Sequence, residues 1–326
     1  MALFVYCTNQ IPLYSMLNNP LLALCENRNV LPKNNEKSGS PEEWFSNHLL
    51  SAHGLLGINF DFFVNWFSSP NTLSSPIWIK QVLSVDKGYP DFLDNVKQNL
   101  IDRFGAGFIK SLLKFSMNFS LKSSFIILDD HQDWSNAGSK VCIVDVNEDF
   151  SFNAQLLSIG NFKAAIQTYS GGRVYVGSKG LIYGTTNLEC ELSKTDSAYP
   201  GDMDMLLLNE DADPVAIFEF KKHTLSNDVS TQTLSNYYPH KDGRKYDRLA
   251  VFREYILEKS GCNVPMLILY YPSSSKGEYG RVELVDGTPG KLTVKASGKF
   301  KLPIDKSSAE FERMANLIPK FIALSR

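Results

Sequence analysis

The chain has 326 residues, 43% of them hydrophobic and 21% charged, which is the balance of a globular protein able to bury a core. Lys and Arg number 33 against 35 Asp and Glu, so the net charge is −2 and a general basic coat for nucleic acid is excluded. The length suits one large domain or two of roughly 100–200 residues.

Residues 2–7 (ALFVYC) read as a short strand. The opening segment lacks a basic start, and Thr8-Asn9-Gln10 interrupts its apolar run, so a signal peptide is not expected. No apolar run approaches the ~18 residues that a membrane span needs. Residues 30–40 are polar and turn-rich. A helix is expected to start at Pro41, with Ser40 as cap and Glu43 completing a capping box. WFSNHLLSAHGLL, SPIWIKQVL, PDFLDNVKQNLIDRF and GFIKSLLKF all read as helical, making residues 1–120 a helix-rich region of unassigned role.

The texture changes beyond residue 120. SSFIILDD and SKVCIVDV read as strands, and NFKAAIQTYS as a short helix. GLIYGTTNLECEL, DMDMLLL and PVAIFEF are strand-like. A helix is expected through RKYDRLAVFREYILEK, and MLILYYP is a buried strand by composition. A hairpin around Asp286-Gly287 and Pro289-Gly290 and a helix over AEFERMANLIPKFIAL follow. Residues 121–326 are thus a mixed α/β domain: a sheet flanked by helices. The five cysteines are scattered, with no CxxC, so neither a zinc site nor a disulfide framework is expected. That usage fits a reducing cytoplasm.

The chemistry concentrates in Tyr199–Lys222. Two apolar strands flank an acidic loop, and each carries charges where a core strand should not. If Glu210 to Asp213 form the loop, Leu208 faces Val215 and Leu206 faces Ile217. Asp204 then faces Glu219, and Asp202 faces Lys221. Opposed side chains on one face lie ~4.5–5.5 Å apart at Cβ. Two buried carboxylates so placed repel, and one must take up a proton unless a cation sits between them. Oxygen donors favour Mg²⁺ or Mn²⁺ over zinc. Lys221 shares the face of Glu219 and suits a negative charge on a phosphate. Alternatively, Asp204 and Glu219 are the polar faces of half-exposed strands, and Asp202 with Lys221 is an ordinary cross-strand pair.

Pro-Gly-Asp-x-Asp, an apolar strand, then Glu-x-Lys resembles the PD-(D/E)xK nuclease superfamily. The resemblance covers about residues 160–272. It implies a restriction-endonuclease-like core: a helix near 161–170, strands at 187–194, 202–209 and 214–221, a helix near 244–259 and a strand at 266–271. It implies Asp204 and Glu219 as metal ligands, with the backbone carbonyl of Phe220, and Lys221 as the catalytic lysine. Asp202 is the second choice for the metal-binding Asp. Gln232 is the candidate for the Gln that some branches carry, with a plain polar residue as the alternative. Glu189 and Glu191 match an upstream Glu poorly, because they read as part of a strand.

The activity implied is Mg²⁺-dependent (or Mn²⁺-dependent) hydrolysis of phosphodiester bonds, with DNA as the partner and substrate by resemblance. RNA cleavage on the same core, or a catalytically silent interaction module, are the alternatives. A homodimer would follow if both strands of a duplex are cut at a symmetric site. Lys245 and Arg248 share a helical face and suit a phosphate, with Tyr237 or Tyr238 stacking on a base; a solvated helix face is the plainer reading. Residues 276–306 hold seven basic against four acidic side chains, which fits a phosphate-facing hairpin or simple surface decoration. Asp129-Asp130-His131-Gln132-Asp133 is a rival metal cluster. His48 and His53, five apart, share no helical face. No phosphate-binding loop, dinucleotide fingerprint, GxSxG or HExxH occurs.

Overall fold

The computed structural model describes residues 16–177, 180–224, 228–240 and 242–325. Two-residue strands β1 (Leu17–Asn18) and β2 (Ala23–Leu24) precede helices α1 (Pro41–Trp44) and α2 (Asn47–Ser51). A long hairpin follows, β3 (Leu56–Asn65) and β4 (Thr72–Leu83). Helices α3 (Tyr89–Leu93), α4 (Val96–Phe104) and α5 (Ala106–Asn118) lead to strands β5 (Lys122–Leu128), β6 (Lys140–Val146) and β7 (Phe152–Ser158). Then come α6 (Ile159–Tyr169), β8 (Tyr183–Gly184) and α7 (Asn187–Leu192). The hairpin β9 (Gly201–Leu208) and β10 (Pro214–His223) is followed by α8 (Gly243–Ser260), β11 (Met266–Pro272), β12 (Tyr279–Thr288) and β13 (Lys291–Lys301). Helices α9 (Ser308–Ala315) and α10 (Ile318–Ile322) come last.

One mixed sheet organises the molecule, in the order β13-β12-β11-β10-β9-β3-β4-β5-β6-β7, with β1 beside β4. Most pairs are antiparallel. The pairs β10/β11 and β4/β5 are parallel. A parallel pair needs a crossover, which α8 supplies for the first and α3–α5 for the second. Residues of α4, α5 and α8 share one apolar cluster, so these helices cover the same face of the sheet. On the opposite face, α1, α2, α9 and α10 pack at one end and α6 with α7 at the other.

Several expectations hold. The helices at 161–170 and 244–259, the strands at 202–209, 214–221 and 266–271, and the late hairpin all form. Pro41 opens α1, and the Glu43 carboxylate accepts the Ser40 N–H at 2.8 Å. The expected strand at 2–7 lies outside the described residues.

Other expectations fail for identifiable reasons. SPIWIKQVL is the end of strand β4, not a helix. Ile77 and Ile79 enter one cluster while Trp78 between them enters another, so no two-residue alternation is visible. The described part of residues 1–120 therefore supplies the middle of the sheet, between β9 and β5. The expected strand at 187–194 is largely helix α7; the Thr186 hydroxyl caps it by accepting the Glu189 N–H. The last helix is divided at Asn316-Leu317 ahead of Pro319. Cys25 and Cys190, 165 residues apart, form a disulfide that the scattered spacing did not suggest. No described helix is long and apolar enough to cross a membrane.

The contact between α8 and the sheet centre is aromatic. Phe252 lies 5.7 Å from Phe60 and 5.3 Å from Phe62, and Phe62 and Phe252 are fully buried. Phe252→Ala should therefore lower unfolding stability by about 3–5 kcal/mol. Urea denaturation followed by circular dichroism would check this; a change below about 1 kcal/mol would mean that α8 is not anchored there.

Candidate functional site

The β9/β10 hairpin brings the expected carboxylates together. Ala216 pairs with Leu207, Ile217 with Leu206 and Phe218 with Met205, the register read from the sequence. At the hairpin mouth a bulge at Val215 instead sets Leu208 opposite Pro214. On its other edge β9 bulges against β3: Ile58 faces Leu206 but Phe60 faces Met203, so Asp204 and Met205 stand against Asn59 alone. A bulge re-aims a side chain. Here the Asp204 carboxylate accepts the Phe220 N–H at 2.7 Å. Asp202 faces Asp61 of β3, not Lys221 as expected, because β9 pairs with β3 at that level.

Helix α8 closes the site. Lys245 places its ammonium 2.9 Å from Glu219, 3.3 Å from Asp202 and 3.4 Å from Asp204. Lys221 lies 2.5 Å from Asp242 and 3.8 Å from Glu219. It also stands over the rings of Tyr237 and Tyr246, 5.1 and 5.7 Å from their centroids. Glu219, Asp204, Lys221 and Lys245 are thus brought together, and Asp202 joins them through Lys245.

Glu219 is 0% exposed, and neither carboxylate oxygen makes a hydrogen bond of acceptable geometry. Glu283, equally buried, shows the alternative. Its oxygens accept from Arg281, the Leu234 N–H and the Tyr270 hydroxyl. Glu283 is satisfied; Glu219 has only nearby cations. Burial, and then the Glu219 charge, push the Asp204 carboxyl well above the usual carboxylate range. Burial alone would lower Lys245, but Asp202, Asp204 and Glu219 outweigh it and hold the ammonium well above its ordinary range. Loss of solvent opposes ionisation of Asp202, yet Lys245 and then Lys80 hold it well below the usual range. A buried carboxylate pair with orphaned oxygens calls for positive charge. Asp204 and Glu219 are suited to a hard divalent cation, although Lys245 already serves that charge. Among the described residues, no three His, Cys, Asp or Glu side chains are grouped to enclose a metal ion.

A second ionic nest adjoins the first, and sequence reasoning missed it. Lys80 of β4 lies 2.7 Å from Glu189 and 3.4 Å from Asp61, with its ammonium 4.4 Å from the Tyr199 ring centroid. Glu189 therefore belongs to helix α7 and to the site's surroundings, whereas Glu191 pairs with Lys194 at the surface. The available signal was a lone charge within each apolar strand, Asp61 in INFDFFV and Lys80 in PIWIKQV.

Gly201 has a steric role. A Cβ there would stand 1.0 Å from Nη1 of Arg248, so the guanidinium occupies the space that a side chain would fill. Gln232 does not reach the carboxylates through any direct contact; its amide oxygen accepts the Tyr237 hydroxyl at 2.7 Å, and the Tyr237 ring lies beside Lys221. Tyr238 is not free to stack on a base: it is buried, and its hydroxyl donates to Asp247 at 2.9 Å. In the rival acidic cluster, Asp130 accepts the Asn187 and Leu188 N–H groups and so caps α7.

No family model matches this chain, and no curated protein does. A solved structure described as a sex pheromone staph-cAM373 precursor aligns over 74% of this chain and 76% of its own, at 10% identity and a TM-score of 0.19. A likeness that weak carries no argument about fold or function.

Burial, the largest influence, pushes Asp61 from 3.8 to about 7, against the opposing pull of Lys80. The folded protein thus holds this proton more tightly than the unfolded chain does. Its stabilising contribution is full below about pH 4 and is lost as pH rises through about 7, by up to ~1.4 kcal/mol per pH unit. Asp61→Asn should remove that part of the decline. Urea midpoints for both proteins between pH 4 and pH 8 test this, and parallel curves would refute it.

Proposed function

We propose that this protein is a metal-dependent nuclease with a PD-(D/E)xK-type site, hydrolysing phosphodiester bonds, with DNA favoured by the motif's resemblance. The observation that carries the reading is Glu219: wholly buried, without a hydrogen bond, beside Asp204 and within 3.8 Å of Lys221. A structural glutamate in this sheet is satisfied as Glu283 is. The order β9, β10, α8 and parallel β11 supports the reading, since it is the order the resemblance implies. The strand beside β9 is β3 in place of residues 187–194.

Asp204 and Glu219, with the Phe220 carbonyl, would hold Mg²⁺ or Mn²⁺. Such an ion polarises a phosphate and lowers the pKa of bound water. Asp204 is oriented by the Phe220 N–H. Lys221, fixed between Asp242 and two tyrosine rings, presents its ammonium to charge developing on a phosphate oxygen. Tyr237 links Gln232 to Lys221, so Gln232 acts through position. Lys245 holds the same carboxylates. It has to move aside for loading, and its flexible four-carbon stem allows that.

Lys245 also favours a second reading, a catalytically silent interaction module in which the ammonium permanently compensates the carboxylates. One experiment separates them. Plasmid, single-stranded DNA and RNA are incubated with the protein in Mg²⁺, Mn²⁺ or EDTA, beside Asp204→Ala and Lys221→Ala. The nuclease reading expects metal-dependent cutting, reduced at least ~10²-fold by either substitution. RNA as the preferred substrate would reassign the substrate alone. If no nucleic acid is cut and calorimetry detects no Mg²⁺ or Mn²⁺ binding, the silent module replaces it.

A further inference from the structure

Two arginines of α8 are not used by the carboxylate site. Arg244 and Arg248 are four residues apart and therefore share a helix face. Both guanidinium groups lie over the Trp66 ring, just past the end of β3, at 5.5 and 5.9 Å from its centroid. Two cations on one ring repel each other, so the arrangement suits an anion between or beside them. Arg244 also donates to the Tyr175 carbonyl at 3.1 Å. Arg248 lies over Gly201, where only the absence of a side chain leaves room. Neither guanidinium has a carboxylate within ion-pair distance. Each stacked guanidinium keeps N–H edges for an acceptor.

Beside this pair lies an aromatic ledge. Phe67 is 64% exposed and Tyr175 is 59% exposed, an unusual state for large rings. They belong to neighbouring loops: a Cβ on Gly172 would stand 2.8 Å from the Phe67 ring. The ledge is therefore continuous with the arginines, and Gly201 links both to Asp202, the next residue of β9.

We infer that Arg244 and Arg248, with the exposed rings of Phe67 and Tyr175, form a clamp for single-stranded nucleic acid leading to the carboxylate site. The guanidinium pair takes a phosphodiester, and the rings take unpaired bases. A duplex keeps its base faces stacked and offers the rings nothing, whereas every unpaired base has an exposed face. Trp66 positions the arginines without contacting the strand. The location of the clamp beside the site rests on the nuclease reading; its binding test does not.

The probe is a fluorescein-labelled oligo-dT strand of about twelve nucleotides, within the span of known single-strand sites. Anisotropy titrations are run in EDTA, so that binding is separated from cutting. Wild type is expected to bind it in preference to the corresponding duplex. Arg244→Ala with Arg248→Ala should weaken binding at least tenfold and reduce the slope of log K against log salt by about 1.4, at ~0.7 per lost phosphate contact. Phe67→Ala and Tyr175→Ala alter exposed rings only, so they keep the test valid if the arginine variant misfolds; each should weaken binding about tenfold.

The clamp is overturned if wild type does not bind the strand, if it prefers duplex, or if folded variants bind like wild type. Equal binding of poly-L-glutamate would also overturn it, since charge alone would then suffice. The two proposals fail separately. Clamp-dependent binding without any cutting removes the nuclease reading and keeps the clamp. Metal-dependent cutting with unaltered binding by all clamp variants does the reverse.

Discussion

Burying Glu219 costs free energy that only neighbouring positive charge offsets, and the centre of the molecule is arranged around that requirement. Its carboxylate is in the fourth of ten sheet strands counted from β13, under a helix, with no solvent and no hydrogen-bond donor of acceptable geometry. Lys245 reaches it from above on α8, and Lys221 flanks it on its own strand. Asp204 completes the group because a bulge in β9 lets it leave strict alternation and bond to the Phe220 N–H. Removing either cation would leave a buried anion partly uncompensated, which explains why α8 must be held firmly over β9 and β10.

The aromatic contacts of α8 provide that hold. Phe252 against Phe60 and Phe62 ties the helix to β3, while Tyr246, Leu249 and Ile256 join the same apolar cluster. The parallel placement of β11 beside β10 makes α8 the crossover, so chain connectivity and side-chain packing position Lys245 together. The same helix carries the arginines outward to Trp66. One element therefore supplies the ammonium inside the site and the guanidinium groups at its edge. The nest of Asp61, Lys80 and Glu189 extends the ionic network one strand further, where β9 and β3 set Asp202 against Asp61.

Much of the site was legible because a hairpin is a local structure. A short acidic loop and two apolar strands suffice to fix which residues face each other, and three observed pairs follow that register. The register failed where a partner from elsewhere intervened. Asp202 was matched with Lys221 in isolation, but β3 pairs with β9 at that level and Lys245 takes the carboxylate. Gln232 was chosen for its position after β10, and it meets Tyr237 and not the carboxylates. Tyr238 looked available from sequence, whereas Asp247 binds its hydroxyl inside the fold.

By itself the sequence determined the features set by neighbours in the chain: the capped start of α1, the β9/β10 register, the acid pair Asp204 and Glu219, and the helix after them. Tertiary structure alone decided which distant segments complete the site. Strand β4 is apolar on both faces, so its two-residue period was hidden and the N-terminal strands at the sheet centre were read as helix. Lys80 met Glu189 across 109 residues, and Cys25 met Cys190 across 165. No local period or spacing encodes such meetings. They arise because a ten-strand path must bury both of its faces, and the helices that cover them bring their charged side chains along.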